Sequence, residues 1–372
     1  VKKTTIWLIG TLLLLTSCAP DVNEEEVVQN DEESSNSKEE KAIVPSYQLS
    51  DENYKMILPF EPGKARGVIV GQVANRLDID EMEEGLRRHS KEVYDPEKYL
   101  FQEGQYITEE TVLQWIDELN PPKKEGAGKE YYEENPRYLS HVLEQNYLVK
   151  QEDNSVKLAG ISIGIAMKSV YRYQTEVGGP YYYRSISKSE MMEQANKIAQ
   201  KIVKSAREIE GLEDVPIMLG VYREEDQSSP IPGNFVAKTN VAGDSASIGE
   251  WDSIDEEFIL FPSDEGKEKY YEDQEIVNSF GKEIANYFPN YVGVIGEGFY
   301  VNEELQKMTI EIPIEFYGKG EVVGFTQYAY GLVQDMFADY YDLEIKITSS
   351  DKLESIIYRE AGSDKPTVHV FH

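Results

Sequence analysis

Side chains of the types that catalyse reactions are few in this chain of 372 residues: one cysteine, Cys18, and four histidines, His89, His141, His369 and His372. Gly160-Ile161-Ser162-Ile163-Gly164 has the letters of a nucleophile elbow, in which a strained strand-to-helix turn presents a serine to a histidine base. Here the pentapeptide lies inside an alternating strand pattern, and the only later histidines end the chain, so no Ser-His pair is expected. Gly160, Ser162 and Gly164 read instead as small residues that let another element approach one strand face closely. His369-x-x-His372 sits at a C-terminus with no helix to hold it, a poor frame for metal ligands, and His89 and His141 are isolated. A lone cysteine forms neither an internal disulfide nor a thiolate zinc cluster. With 69 acids, close carboxylate pairs arise in many places and none stands out as an acid–base couple. No twelve-residue calcium loop occurs. Gly293-Val294-Ile295-Gly296-Glu297-Gly298 lacks the order of a dinucleotide loop, has no Walker lysine after it, and reads as a hairpin or tight turn. The expectation is no catalytic residue, no metal and no cofactor, with an envelope hydrolase as the alternative.

Cys18 has a different chemistry available. Lys2 and Lys3 precede an apolar run, Ile6 to Leu15, of about ten residues, too short for a bilayer span of about 20 and suited to a signal peptide. The run ends in Leu15-Thr16-Ser17-Cys18, the lipobox pattern at which signal peptidase II cuts before a cysteine whose thiol carries diacylglycerol. Residues 1–17 are therefore expected to be a lipoprotein signal peptide and Cys18 the lipid attachment site. Removing Lys2 and Lys3 takes the net charge from -32 to -34 and leaves no free thiol for nucleophilic catalysis.

That charge excludes further classes. A phosphate backbone needs a Lys/Arg footprint, and 37 cations against 69 anions make a nucleic-acid partner improbable; anionic headgroups are repelled for the same reason. Attachment to the membrane then falls to the lipid on Cys18, on the outer face of the cell membrane and facing the wall. Between Asp21 and Lys41 the runs Glu24-Glu25-Glu26, Asp31-Glu32-Glu33 and Glu39-Glu40 bury too little apolar surface to offset ordering, so residues 18–45 read as a disordered acidic tether.

The remainder has the periodicities of a folded body. Ser187 can cap a helix with Met192, Ala195, Ile198, Ile202 and Ala206 on one face, and Thr108 a second with Val112, Trp115 and Leu119. Val277, Phe280 and Ile284 mark a third, Ala329, Val333 and Met336 a fourth, and a further helix is expected from about Asp80 to His89. Strands are expected at 158–167, 217–222, 235–241, 308–316, 343–348 and 367–371, with Pro313 placing one at an edge or bulge. Strand 158–167, its helix and the next two strands match 308–316, a helix, 343–348 and 367–371 in order, and 51–60 echoes 255–262. The fold class expected is α+β: two tandem repeats, 46–248 and 249–372, each a mainly antiparallel sheet with packed helices, the stretch 80–135 being an elaboration of the first. Tyrosine is abundant, with 26 residues; Tyr181, Tyr182, Tyr183 and Arg184 form the candidate ligand surface, suited to sugar rings of a cell-wall or host-surface ligand.

With a lipobox, an acidic tether and a repeated body, and in segments 54–66, 108–122, 162–184 and 316–325, the sequence resembles the CamS family, lipoproteins of Gram-positive bacteria regarded as sex-pheromone precursors. The resemblance implies that the name-giving activity lies in the discarded signal peptide, whose last residues act after release as a hydrophobic peptide on a receptor in recipient cells. By position that peptide is Thr11-Leu12-Leu13-Leu14-Leu15-Thr16-Ser17. The resemblance leaves the role of the folded body open, and a non-enzymatic binding or adhesion module is expected.

Overall fold

Side-chain caps start the helices near the expected places. Asp78, Thr108 and Ser187 accept hydrogen bonds from the N–H groups of Glu81, Thr111 and Glu190, opening α1 (Ile79–Ser90), α2 (Glu109–Glu118) and, after a short α3 (Lys129–Glu134), α4 (Lys188–Ala206). The computed structural model describes residues 24–29, 40–45, 48–50, 53–68, 75–124, 126–288, 290–316, 318–350 and 352–371. The expected signal peptide, the expected lipobox with Cys18, the candidate peptide 11–17 and His372 lie outside them.

Within the stretch expected as a spacer, β1 (Glu24–Gln29) pairs antiparallel with β2 (Glu40–Pro45). Ala42 and Val44 of β2 are buried with Ile57 and Leu148, so the packed body includes residues before the expected boundary at 46. Alternation of apolar residues at 42 and 44 supplies the buried face, a signal that acidic composition averaged over the segment conceals.

The first half is built on β3 (Lys55–Met56), β5 (Leu100–Glu103), β6 (Leu139–Lys150), β7 (Val156–Met167), β10 (Ile217–Arg223), β12 (Asn234–Val241) and β13 (Asp252–Ser253). They form one sheet in the order β13-β12-β10-β7-β6-β5-β3. Two short ladders stand apart, β4 (Asn75–Arg76) with β11 (Glu225–Asp226) and β8 (Val170–Tyr173) with β9 (Tyr182–Ser185). Both faces of this sheet are covered. Ile161, Ile163 and Ile165 of β7 pack with Ala195, Ile198 and Ile202 of α4 and with Val112 and Trp115 of α2. On the opposite face Met82 and Leu86 of α1 pack with Tyr147, Met218 and Phe235.

The second half runs β14 (Glu256–Phe261), α5 (Asp264–Lys269), α6 (Tyr271–Ala285), β15 (Ile295–Val301), β16 (Glu304–Pro313), α7 (Lys319–Met336), β17 (Asp342–Ser349), β18 (Lys352–Arg359) and β19 (Thr367–Val370), with its strands in sequence order across the sheet. Ile310, Ile312, Ile345 and Ile347 pack under Phe280 of α6 and Phe325 and Val333 of α7. The fold is therefore mixed α+β with mainly antiparallel sheets.

The five strands β5-β6-β7-β10-β12 are joined antiparallel, antiparallel, parallel, antiparallel, and β14-β15-β16-β17-β18 repeat that series. In each, a helix links the parallel pair, α4 and α7 respectively, since a parallel neighbour requires a crossover. Three expectations change. The counterpart of β12 is β18, unmarked at sequence level, while 367–370 adds a sixth strand. The echo of 51–60 in 255–262 does not mark equivalent places, because β14 occupies the position of β5. By the same order the pair α2 and α3, between β5 and β6, answers to the pair α5 and α6, between β14 and β15, so within 80–135 only the part carrying α1 lacks a helical counterpart. Pro313 is the last residue of an interior strand, where its missing N–H breaks no bond in mid-ladder. Gly296 and Gly298 lie within β15 rather than in a turn: a Cβ on Gly298 would stand 3.0 Å from Phe261 Cε2.

Candidate functional site

Ser162, the middle of the elbow-like pentapeptide, is buried in β7 between Met218 and Gln145 of the neighbouring strands, and its Oγ lies 2.6 Å from Ser90 Oγ at the end of α1. A Cβ on Gly160 would stand 2.1 Å from the Tyr94 ring and one on Gly164 2.9 Å from Met82 Cε. The small residues thus let α1 and Tyr94 close on the sheet, the packing role expected of them.

At one margin of α1 lies a cavity of about 110 Å3. The helix contributes Ile79, Glu83 and Arg87, four residues apart and hence on one stripe. The sheet contributes Phe101 and Glu103 of β5 and 141–145 of β6, and the loop 63–66 closes it with Ala65 and Arg66. Gln145 Nε2 donates to the Glu83 carbonyl at 2.8 Å, tying β6 to α1.

Charges of both signs meet there. Arg66 pairs with Glu103 and lies 3.8 Å from Glu83, and Glu103 also accepts from the Gly63 N–H at 2.6 Å. Burial raises the Glu83 carboxyl above the usual range, against the pull of Arg66. Arg87 stands 5.3 Å over the Phe101 ring. Glu144 is buried and its Oε2 accepts from the backbone N–H groups of Tyr106 at 3.1 Å and Ile107 at 2.6 Å, anchoring that loop to β6. Burial pushes its carboxyl up to about 7 despite these donors. With its oxygens engaged, Glu144 is an anchor for the site rather than a base. His141 is buried, its Nδ1 has no partner among the described residues, and burial lowers it to about 4, so the ring is neutral at physiological pH. Sequence reasoning passed over Glu144 and His141, because nothing in their neighbours along the chain marks the burial that distinguishes them.

The structure places Tyr182, Tyr183 and Arg184 in β9 and Tyr181 just before it, in the connection from β7 to α4 and apart from the cavity. Their contacts are largely internal. Tyr173 stacks on Tyr132, Tyr171 and Tyr182 at centroid distances of 5.2, 5.5 and 5.5 Å. Arg172 covers the Tyr181 ring at 4.0 Å and Lys129 the Tyr182 ring at 5.1 Å. Arg184 Nη2 donates to Glu190 Oε1 at 2.8 Å, where Tyr138 Oη also donates at 2.7 Å. Tyr181 and Tyr183 remain 51% and 59% exposed. At the chain end His369 meets Phe371 ring to ring at 4.7 Å. Among the described residues no group of three His, Cys, Asp or Glu side chains is arranged to hold a metal ion, and no helix is long and apolar enough to cross a membrane.

Comparison with known proteins adds the following. The family described as CamS sex pheromone cAM373 precursor matches residues 60–365. No curated protein gives a match. Among solved structures, the sex pheromone precursor of Lactobacillus salivarius subsp. salivarius UCC118 is similar with a TM-score of 0.80 and 29% identity, covering 88% of this chain and 98% of that one. The C-terminal domain of the sex pheromone staph-cAM373 precursor of Staphylococcus aureus is similar with a TM-score of 0.67 and 26% identity, covering 79% of this chain and 96% of that one.

Proposed function

The chain belongs to the CamS sex pheromone precursor family, and from that membership we propose that it is an exported lipoprotein with two products. One is a short hydrophobic peptide trimmed from the signal segment, Thr11-Leu12-Leu13-Leu14-Leu15-Thr16-Ser17, which acts on a receptor in other cells. The other is the folded body, held on the outer face of the membrane by lipid on Cys18 and serving as a non-enzymatic binding module whose ligand enters the cleft between α1, β5 and β6. The observation that carries the reading is the family match over 60–365 in a chain whose only cysteine follows Leu15-Thr16-Ser17. A cleft with an apolar wall, a few convergent polar groups and side chains displaced from their ordinary pKa is the usual form of a small-ligand site.

Metabolic labelling with a palmitate analogue tests the anchor. Cys18→Ala releases unlabelled protein into the medium; unchanged retention and labelling would contradict it. Synthetic Thr-Leu-Leu-Leu-Leu-Thr-Ser applied to conjugation-competent cells tests the peptide, with a rise in plasmid transfer expected. Receptor pockets discriminate single methylenes by about 10–200-fold, so the same peptide with one Leu→Ala exchange is the matched control.

A further inference from the structure

Resting on the reading of the cleft as a binding site, we propose that its ligand is a free α-amino acid with a short apolar side chain. The size is the first argument. A cavity of about 110 Å3 accepts only a small group, since an apolar cavity of about 150 Å3 holds benzene.

Charge is the second. The lining carries two guanidiniums, Arg66 and Arg87, and three carboxyl groups, Glu83, Glu103 and Glu144. A phosphate would face these carboxylates and a polyamine both guanidiniums, and like-charge juxtaposition rejects each. Arg66 is drawn onto Glu103, which is also held by the Gly63 N–H, and reaches Glu83 only at the longer distance of 3.8 Å, while Glu144 is taken up by the loop N–H groups. Glu83 and Arg87, one helical turn apart on α1 with Cβ atoms about 6 Å from each other, are then the pair that receives an ammonium and a carboxylate. A zwitterion carries both on one carbon. The heptapeptide 11–17, extended, separates its two ends by about 20 Å and cannot present both here.

The wall is the third. Ile79, Ile107, Val142 and Leu143 offer apolar surface to the side chain.

The test is calorimetric titration and thermal shift of the full chain in mild detergent. The panel is L-alanine, D-alanine and L-leucine, with N-acetylalanine and alanine amide as forms lacking one charge, N-acetylglucosamine, and the heptapeptide. Expected is saturable binding of a free amino acid that raises the melting temperature, with both blocked forms at least about tenfold weaker. Arg87→Met is expected to weaken binding by about tenfold or more, and Ala65→Phe, a loop substitution that fills the mouth, to abolish it. Equal binding of blocked and free forms overturns the zwitterion. Binding of the sugar or the heptapeptide instead, lost in Ala65→Phe, overturns the amino acid and keeps the cleft as a site. No binding of any panel member up to about 10 mM overturns both.

Discussion

Arg88, on α1 of the first half, donates to both carboxylate oxygens of Glu256, the first residue of β14 in the second half, at 3.2 and 3.1 Å. His89 Nε2 lies 3.1 Å from the same carboxylate, Arg88 also reaches Glu81 at 3.0 Å, and its guanidinium stands 4.5 Å over the Phe299 ring. The one helix without a counterpart in the second half thus fastens the two sheets together.

Arg88→Ala leaves the Glu256 carboxylate buried without its bidentate partner and is expected to destabilise the protein by about 3 kcal/mol, read by urea denaturation. The double variant Arg88→Met, Glu256→Leu is expected to recover part of that loss, because an apolar pair of similar volume leaves no unpaired carboxylate at 256, while Glu81 still loses its Arg88 contact. Burial pushes the Glu256 carboxyl up, and the His89 and Arg88 contacts outweigh it and hold it below the usual range. A depressed folded value means that this contribution is present above the unfolded carboxyl's titration and is lost as pH falls through the folded one, below the ordinary carboxylate range.

Gly160→Ala is expected to cost about 1–3 kcal/mol, since the new methyl would stand 2.1 Å from a Tyr94 ring that is stacked on Tyr147 and bonded to the carbonyls of Ile161 and Pro216. Gly249→Ala, with nothing within 4 Å of the added carbon, is the control and is expected to be neutral. Thermal melts of the two variants read the difference.

Glu224, just after β10, is buried, and burial raises its carboxyl to about 7, with the Ser140 hydroxyl and Lys168 opposing. A folded value raised above the ordinary 4.5 means that the folded state holds the extra proton between about 4.5 and 7, so stability falls as pH rises through that window. Glu81 and Glu144 work in the same direction. Neutral buried His141, at about 4, works in the opposite one between about 4 and 6.5. Three carboxyls against one imidazole leave a net decline from about pH 5 to 7. Glu224→Gln is expected to flatten part of it, with a gain of about 1–3 kcal/mol at pH 8 that shrinks toward pH 4, measured by denaturation across that range.

Much of the fold was legible where one period dominates. The Thr108 and Ser187 caps and the stripe from Ala195 to Ala206 located α2 and α4, because capping and helical burial are local properties of the chain. Strand 352–359 escaped because its burial alternates only partly, with Glu354 and Ser355 both buried. α7 begins at Lys319, ten residues before the first residue of the expected stripe, because Val322 and Phe325 extend the buried face past the glycines at 320 and 324 that interrupt the pattern. The sequence suggested the close packing against Gly160, Ser162 and Gly164, none of which lines the cleft. It did not suggest Glu83, Arg87, His141 and Glu144 as one group.

By itself the sequence determined what depends on neighbours along the chain: the Leu-Thr-Ser-Cys pattern ending at Cys18, the helix caps, the alternation of β7 and the family. Only the tertiary structure decided which acids matter among 69, since pairing and burial are set by residues far apart in the chain. Glu256 meets Arg88 across 168 positions and Glu144 meets Ile107 across 37. A carboxylate's energy depends on the dielectric around it and the donors it meets, and both are properties of the packed sheet and of α1 lying on it.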